Sequence, residues 1–261
     1  MIHGLAELLM YVAPPRVCEA QQTWLREILR RLNAERLSAD GLDLPRLWLS
    51  PDLLLTQTCG YPLMTRLQGK VQVVGRPVYH LPHSADGNHC SLLLVREDDP
   101  RQNLADFYGS HGLLNSADSN SGMNLLRQRL APLQRDGRFF AQVSFSGGHR
   151  DSLRLLKARR GDLAAIDSVT YDYLARDHSE EVTGLRILIE SAASPCLPYI
   201  TARDVDPEPI RQAMNSALLA LPEVAEILAI EQVLPASEAD YHVLLDYERE
   251  AQALGLASIN P

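Results

Sequence analysis

Short apolar runs alternate with amphipathic helical patterns through the middle of this chain, and this alternation most strongly limits the folds open to it. Between residues 91 and 190, the strand-like runs SLLLVRE, DLAAID and LRILIES are separated by the helical patterns DSLRLLKARR and VTYDYLAR. Strands that alternate with helices are typical of crossover units, in which a helix connects two parallel strands. The sequence therefore predicts an α/β fold with mostly parallel sheets and flanking helices.

The same two patterns continue on both sides of this block. The apolar positions of Val17–Leu32 predict an amphipathic helix. The β-branched run Val71–Tyr79 predicts another strand. Beyond Pro198 the pattern is mainly helical, at residues 209–221 and 236–254.

Runs of turn-forming residues near positions 90 and 192 interrupt the alternation. They predict one lobe over residues 91–191 and a second, discontinuous lobe that residues 1–90 and 192–261 form together. Each lobe is about the size of a small domain. Open α/β proteins bind their ligands in a crevice at the carboxyl ends of the strands, so we expect the functional residues in the loops that follow the strands.

Charge and hydropathy argue against several classes of partner. The formal net charge of −8 disfavours nucleic acids and acidic membranes, because both require a positive surface, but it permits a small anion in one local pocket. No apolar run reaches the ~20 residues of a membrane span, so we expect no membrane insertion. The apolar run Leu5–Val12 has no Lys or Arg ahead of it and contains Glu7, which predicts a first strand and not a secretory signal.

The four cysteines are too few and too scattered for a disulfide scaffold, and no CxxC pair indicates zinc or redox chemistry. We therefore expect free, mostly buried thiols at Cys18, Cys59, Cys90 and Cys196. A pairing of Cys59 with Cys90 in an oxidising compartment is the alternative. No cofactor is predicted.

The loop NSADSNSGMN, residues 115–124, lies between a predicted strand and an amphipathic helix. Ser119, Asn120 and Ser121 are preferred helix N-caps, and Gly122 permits close approach of the backbone. Backbone N–H groups, hydroxyls and the helix dipole would together stabilise an oxyanion there. The alternative is an ordinary capped helix start.

A second loop of the same kind, SFSGGHR at residues 144–150, again follows a strand and precedes a helix. Since both loops follow strands, the two strand-to-helix turns would face one crevice. His149 can donate a hydrogen bond to an anion there. The alternative is a simple turn at Gly147 and Gly148 with a solvated His149. A third candidate, Asp167, directly follows an apolar strand and is either a ligand contact or the N-cap of the next helix, where Tyr171 is long enough to reach a ligand.

Several segments together resemble the phosphate/phosphonate substrate-binding proteins of ABC importers: QTCGYPL at 57–63, SLLLVREDDP, DSNSG at 118–122, SGGHR, GDLAAID and LPYIT at 197–201. This family is a branch of the type II periplasmic binding proteins, and the resemblance spans nearly the whole chain. It implies two α/β lobes, joined by two hinge crossovers, that close around an oxyanion-bearing solute.

The resemblance also implies roles for individual residues. Phosphoryl-type oxygens would contact Ser119, Ser121, the backbone of that turn and His149. Tyr61 and Asp167 would line the opposite wall, where family members contact the organic or amino end of the ligand, and Tyr199 is a weaker candidate.

On this basis we expect a monomeric solute-binding protein that captures phosphate, phosphite or a phosphonate between its lobes and works with an ABC permease. Sulfate and sulfonates present similar oxygens and stay open as ligands. The resemblance implies a periplasmic location, whereas the chain as written has no signal peptide and predicts a cytoplasmic one. An anion sensor or scavenger of the same fold in the cytoplasm is therefore an alternative.

Two further hypotheses concern chemistry and metals. Ser121, His149 and Asp167 include the residue types of a nucleophile, a base and an orienting acid, but no G-x-S-x-G elbow is present, so we predict no enzymatic activity. A polar connection follows the Val71–Tyr79 strand and contains possible metal ligands in an HxxH then HC pattern: His80, His83, Asp86, His89 and Cys90. That spacing matches no defined zinc pattern, so we predict no metal site.

Overall fold

The structure is a computed structural model that describes residues 2–259. Residues 1, 260 and 261, which the predicted discontinuous lobe includes, lie outside the described residues. The strands are β1 (Ile2–Glu7), β2 (Ala34–Leu37), β3 (Leu53–Gln57), β4 (Val71–Tyr79), β5 (Asn88–His89), β6 (Ser91–Arg96), β7 (His111–Leu114), β8 (Gln142–Phe145), β9 (Leu163–Asp167), β10 (Leu185–Glu190), β11 (Ser194–Pro195), β12 (Tyr199–Ala202) and β13 (Ile230–Leu234).

The α-helices are α1 (Pro15–Arg31), α2 (Leu44–Trp48), α3 (Gly60–Pro62), α4 (Leu125–Leu130), α5 (His149–Lys157), α6 (Ser168–Asp177), α7 (Pro207–Ala220), α8 (Pro222–Leu228) and α9 (His242–Ala253). Two of them adjoin a π-helical turn, at Leu63–Leu67 after α3 and at Asn120–Asn124 before α4. No helix within residues 2–259 combines the length and the hydropathy that crossing a membrane requires.

The described chain divides into two compact units. Unit 1 runs through Asn88 and returns for Pro195–Tyr241, and unit 2 comprises His89–Ser194 and the chain from His242 onward. The chain therefore passes between the units three times, at 88/89, 194/195 and 241/242. The sequence analysis placed the segment after residue 241 with residues 1–90, whereas the structure places it with the middle block.

Unit 1 contains a six-stranded sheet of order β13-β4-β12-β3-β1-β2. β1 pairs parallel with β2 and β3, whereas β12 pairs antiparallel with β3 and β4, and β13 pairs antiparallel with β4. The sheet is mixed, and not mostly parallel as the strand–helix alternation predicts. The reason is that β12 and β13 belong to the returning chain beyond Pro198, which the sequence pattern predicted to be mainly helical.

The core of unit 1 forms around the apolar face of α1. Trp24 is fully buried, its indole N–H donates to the carbonyl oxygen of Met214 at 3.1 Å, and its ring meets that of Tyr199 edge-on at 5.7 Å between centroids. Edge-to-face aromatic pairs are favourable, and a buried indole N–H requires an acceptor. The contact thus fastens α1 to β12 and α7.

Unit 2 contains a five-stranded sheet of order β10-β6-β9-β7-β8. β7 pairs parallel with both β8 and β9, and β6 pairs antiparallel with β9 and β10. Its core forms where buried leucines and an isoleucine of the sheet pack against leucines of α5 and α6. The sheet contributes Leu92, Leu94, Leu113 and Ile166, and the two helices contribute Leu153, Leu156 and Leu174. This sheet is mixed as well, because β6, through which the chain enters, runs against β9 and β10, whereas β7, β8, β9 and β10 share one direction.

Buried polar contacts hold the C-terminal segment to unit 2. The Asn124 side-chain amide donates to the carbonyl oxygen of Leu244 at 3.1 Å, and the Arg127 guanidinium donates to the carbonyl oxygen of Ala257 at 2.9 Å. Arg127 also donates to Asn124 Oδ1 at 2.8 Å. Such side-chain to backbone contacts leave no periodic trace in the sequence, which is why the segment was assigned to the other lobe.

Within the described residues, none of the four cysteines forms a disulfide. Cys59 belongs to unit 1 and Cys90 to unit 2, and Cys90 and Cys196 are buried. Burial raises the pKa of the Cys90 thiol to about 12, and the nearby Glu190 adds to the effect. Cys90 is therefore an unreactive thiol at neutral pH, because the thiolate is the reactive form.

We predict that Asn124→Ala lowers the free energy of unfolding by about 1–3 kcal/mol, because the buried Leu244 carbonyl and the Arg127 guanidinium lose their hydrogen bonds to the Asn124 side chain. Urea denaturation of the full chain measures the change. Arg129→Ala, which removes an exposed side chain from the helix α4 that follows directly, is the matched control and should alter stability by less than about 0.5 kcal/mol. Equal effects of the two substitutions would contradict the anchoring role of Asn124.

Candidate functional site

Three neighbouring parallel strands of unit 2 place the predicted loops at one edge of its sheet. The register pairs Leu114 of β7 with Phe145 of β8, and Leu113 of β7 with Ala164 of β9. Since β7, β8 and β9 run in the same direction, the loops after residues 114, 145 and 167 all begin at this edge. This is the edge at which open α/β sheets bind ligands.

The turn after β7 is built on Ser119. Its backbone is extended, and its hydroxyl accepts the backbone N–H of Gly122 at 3.0 Å, so Ser119 caps the π-helical turn Asn120–Asn124. Such turns occur often at functional sites. All five residues of the π-helical turn are buried. The prediction of a Ser119 cap is therefore correct, and the helix that follows begins with a wider turn than an α-helix.

The turn after β8 meets the π-helical turn through His149, the first residue of α5. Ser121 Oγ lies 3.2 Å from His149 Nε2, and the Asn115 side-chain nitrogen lies 3.5 Å from the same atom. The carbonyl oxygen of Ser121 accepts the hydroxyl of Ser91 at 2.7 Å. The two loops that the sequence analysis selected thus converge on one imidazole.

Gly122 is required for this close arrangement. A Cβ atom at position 122 would lie 1.7 Å from Asn115 Oδ1 and 3.1 Å from the Ser119 hydroxyl. The first distance is far inside van der Waals contact, so the Asn115 amide or the turn would have to move. Asn115, which the sequence analysis did not select, therefore packs directly on the turn.

Asp167 ends β9 and caps α6. Its Oδ2 accepts the backbone N–H of Thr170 at 2.8 Å and the Thr170 hydroxyl at 3.1 Å, while its Oδ1 lies 2.7 Å from His89 Nδ1. Burial alone would raise the pKa of Asp167, but the hydrogen bond and charge of His89, together with His149 and the Thr170 N–H, hold that pKa below its ordinary value. Asp167 is therefore a carboxylate, and His89 carries the proton on Nδ1.

The pKa of His149 is also shifted, in the direction that favours the neutral imidazole. Burial lowers its pKa below 6.5, while the negative charge of Asp167 and a backbone contact with Ala165 offset only part of that effect, and His89 lowers the pKa further. Neutral imidazole is the favoured form in the folded protein. An anion placed beside His149 would favour the imidazolium instead.

The remaining predicted site residues lie in different surroundings. In unit 2, the Asn120 amide donates to the Ser194 hydroxyl at 2.8 Å, and the partly buried Tyr171 packs against the apolar core. In unit 1, Tyr61 is buried in α3, and Tyr199 is fully buried in the core beside Trp24. A ligand contact at these four residues stays a prediction.

His89 is the functional candidate that the sequence analysis interpreted differently, as part of a polar connection with possible metal ligands. Its side chain is 1% exposed and belongs to the Asp167 pair. The register that sets Ser91 opposite Asp167 brings His89 to this edge, and a single sequence contains no signal for such a cross-strand pairing. Within residues 2–259, no group of three or more His, Cys, Asp or Glu side chains could hold a metal ion.

The geometry also bears on the hydrolase hypothesis. Ser121 and His149 lie within hydrogen-bonding distance, as a nucleophile and base would. The carboxylate of Asp167, however, is bonded to His89 and to the start of α6. The third member of a Ser-His-Asp arrangement, an acid that orients the base, is therefore engaged elsewhere.

A known protein family matches most of this chain. Residues 50–241 match a family model described as ABC transporter, phosphonate, periplasmic substrate-binding protein. The match covers more than half of the chain, and the resemblance predicted from the sequence motifs is confirmed. Among curated protein sequences, none matches this chain.

Solved structures show the same fold. PA3383 from Pseudomonas aeruginosa, a binding protein component of an ABC phosphonate transporter, has a TM-score of 0.78 at 12% identity over 97% of this chain and 87% of that chain. PhnD1 from Prochlorococcus marinus, solved with methylphosphonate, has a TM-score of 0.75 at 12% identity over 96% and 98% of the two chains. XAC2383 from Xanthomonas citri, bound to chloride, has a TM-score of 0.66 at 16% identity over 97% and 99%. The predicted periplasmic-binding-protein fold class is confirmed.

We predict that Gly122→Ala lowers the free energy of unfolding by about 1–3 kcal/mol, because the new methyl group overlaps the Asn115 side chain. Gly148→Ala is the matched control: the nearest atom to its Cβ is Asp151 Oδ2 at 3.8 Å, and its backbone is extended. The control should change stability by less than about 0.5 kcal/mol. Thermal unfolding of both variants measures the difference, and equal losses would show that the Gly122 position is not crowded.

A second prediction concerns the pH dependence of stability. Because the folded protein lowers the pKa of His149 below 6.5, its contribution to stability is complete above that pH and is lost as the pH falls toward the folded pKa. We therefore expect His149→Gln to lose less stability than the wild type between about pH 7 and pH 5. Denaturant titrations at fixed pH values test this, and identical pH profiles would contradict it. The lowered pKa of Asp167 acts only below 3.8 and does not overlap this range.

Proposed function

The chain belongs to the periplasmic phosphonate substrate-binding protein family of ABC transporters, and we propose that it binds a small phosphorus oxyanion as the binding component of an importer. Phosphate, phosphite and simple phosphonates are the candidate ligands. The observation that carries the proposal is the meeting of two strand-to-helix turns at Ser121 and His149, 3.2 Å apart. Both turns follow parallel strands at the same sheet edge.

The chemistry of these turns suits an oxyanion. The Ser121 hydroxyl is a neutral donor, and an anion beside His149 would draw a proton onto its imidazole, which then donates as well. The start of α5 adds the partial positive charge of a helix N-terminus. Donors of this kind can hold an anion locally although the whole chain has a formal charge of −8.

The relatives support the same class of ligand. The Prochlorococcus protein was solved in complex with methylphosphonate, and the Pseudomonas protein is a component of an ABC phosphonate transporter. Family membership extends this to an ABC permease as the partner of this chain. Ser119, Gly122 and the backbone of the π-helical turn would supply the remaining contacts to the oxyanion in unit 2.

We further propose that the protein performs no bond chemistry. The carboxylate of Asp167 bonds to His89 and not to His149, so the base of a hydrolytic relay lacks its orienting acid. Hydroxyl groups in an anion-binding turn act as donors and need no activation. A serine-directed covalent probe that labels Ser121 would contradict this.

Ligand binding should raise thermal stability, because an anion that binds only the folded state adds about 2.7 kcal/mol at a hundredfold excess over its Kd. A thermal-shift panel of phosphate, phosphite, methylphosphonate, sulfate and methanesulfonate, followed by calorimetry, identifies the ligand. We predict that Ser121→Ala and His149→Gln each weaken binding by about 10–100-fold, since hydrogen bonds to charged groups contribute about 1.5–3 kcal/mol.

Arg154→Ala is the control for these variants, because Arg154 lies on the same helix as His149 but its side chain is exposed. It should bind the ligand as the wild type does. Wild-type affinity in both site variants would refute the assignment of Ser121 and His149. The absence of any stabilisation by all the phosphorus anions would refute the proposed function itself.

A further inference from the structure

We infer that unit 2 has a second anion site, which binds a diphosphate group in a cavity beside the first residues of β7 and β8. The cavity has a volume of about 450 Å³. It is lined by His111, Gln142, Ser144, Leu155, Arg159 and Arg160. The loops that carry Ser121 and His149 follow the last residues of the same two strands, so the two sites are separate. The inference goes beyond the proposed function and does not depend on it.

The charge of the lining favours an anion. Arg159 and Arg160 supply two guanidinium groups, and none of the six described lining residues is acidic. A neighbouring cavity, which Arg159 also lines, has Glu97 and Asp98 in its wall. The cavity beside β7 and β8 is therefore the one of the two where positive charge gathers without a balancing acid. Such a local concentration can attract an anion although the whole chain has a formal charge of −8.

Both guanidinium groups can reach a ligand at little cost. Arg159 pairs with Asp98, but the two side chains are 65% and 60% exposed, and exposed ion pairs contribute little to stability. Within residues 2–259, no carboxylate pairs with the exposed side chain of Arg160. An anion with two charged groups would thus gain a contact at Arg160 and exchange only a weak contact at Arg159.

The backbone of Arg159 has a conformation that usually requires glycine. The Arg159 N–H donates to the carbonyl oxygen of Leu156 at 3.1 Å, and the Arg160 N–H donates to that of Leu155 at 2.9 Å, so α5 ends in a Schellman turn. Arg159 has a φ of 58°, in the left-handed region that favours glycine at this position. The chain therefore keeps an arginine at an unfavourable backbone position that lines the cavity, and such positions are frequent at binding sites.

The strands add uncharged donors to the same cavity. His111 Nε2 lies 2.8 Å from Ser144 Oγ. An imidazole N–H that donates to this oxygen leaves the hydroxyl proton for an anion, and the Gln142 amide can donate as well. The carboxylate of Asp162 accepts the His111 backbone N–H at 2.9 Å and the Arg101 guanidinium at 3.0 Å. The charge of this nearby acid is therefore compensated by Arg101.

The size and the donors of the cavity indicate the class of anion. Guanidinium groups bind phosphate oxygens through two parallel hydrogen bonds, and the consecutive Arg159 and Arg160 match two adjoining phosphates. The volume of about 450 Å³ falls within the range of ligand pockets, about 300–1,000 Å³. None of the six described lining side chains is aromatic, so a nucleobase would have no stacking partner. The diphosphate itself is the recognised group, either as pyrophosphate or as an organic diphosphate.

Calorimetry at pH 7 with pyrophosphate, ADP, orthophosphate and citrate tests the class of ligand. The four anions are titrated into the His149→Gln protein, in which the first site is weakened. We expect pyrophosphate and ADP to bind with Kd values within about threefold of each other, and orthophosphate and citrate to bind at least about tenfold more weakly. Pyrophosphate should bind the wild type with the same affinity as the His149→Gln protein.

Charge-removing variants locate the bound anion. Arg160→Gln removes one guanidinium group from the cavity, so we expect it to weaken pyrophosphate binding by about tenfold. Arg154→Gln is the matched control, because it removes the same charge from an exposed side chain of α5 that does not line the cavity. The control should bind pyrophosphate as the wild type does.

Arg159→Gly separates a ligand contact from a structural role. Glycine suits the left-handed backbone at this position, so we expect the thermal midpoint to rise while pyrophosphate binds about tenfold more weakly. A residue with only a structural role would not change stability and affinity in opposite directions.

Four results would overturn the inference. Pyrophosphate that fails to bind the wild type at millimolar concentration would show that no such site exists. Equal losses in Arg160→Gln and Arg154→Gln would show an effect of overall charge only. Affinity that falls in His149→Gln but stays unchanged in Arg160→Gln and Arg159→Gly would place the anion at the first site. Citrate that binds as tightly as pyrophosphate would refute the diphosphate class. None of these results bears on the binding of methylphosphonate at Ser121 and His149, which decides the proposed function.

Discussion

The buried carboxylate of Asp167 is the interaction on which the organisation of unit 2 depends. It ends β9, caps α6 through Thr170, and bonds to His89, the last residue of β5. A buried carboxylate is costly unless it is paired and hydrogen-bonded. Here the partners lower its pKa despite burial, so the charge is retained, and the three segments must stay together to retain it.

Around this carboxylate, parallel pairing determines which groups can act together. β7, β8 and β9 run in the same direction, so the loops that follow them begin at one edge, and Ser121 and His149 come within hydrogen-bonding distance although they are 28 residues apart in sequence. The crowded contact between Gly122 and Asn115 keeps the π-helical turn close to that imidazole. The site thus depends on the shared direction of β7, β8 and β9 and on the glycine at position 122, which has no side chain.

Both units combine a parallel core with antiparallel strands contributed where the chain enters or returns. In unit 1 these strands are β12 and β13, and in unit 2 the antiparallel strand is β6. The fold is shared with relatives that are only 12% identical. Such divergence is compatible with a fold that depends on the pattern of apolar residues and on hydrogen bonds to buried polar groups.

The amino-acid sequence by itself determined the local elements, the order of strands and helices in the middle block, and the two loops at 115–124 and 144–150, because periodicity and capping residues act over a few positions. It also identified Asp167 as either a cap or a ligand contact, and the structure shows the cap. The tertiary structure alone decided the antiparallel strands, the attachment of the chain after residue 241 to unit 2, and the pairing of His89 with Asp167. These features depend on contacts between residues distant in the chain, and apolar periodicity contains no information about which distant strands or polar groups become partners.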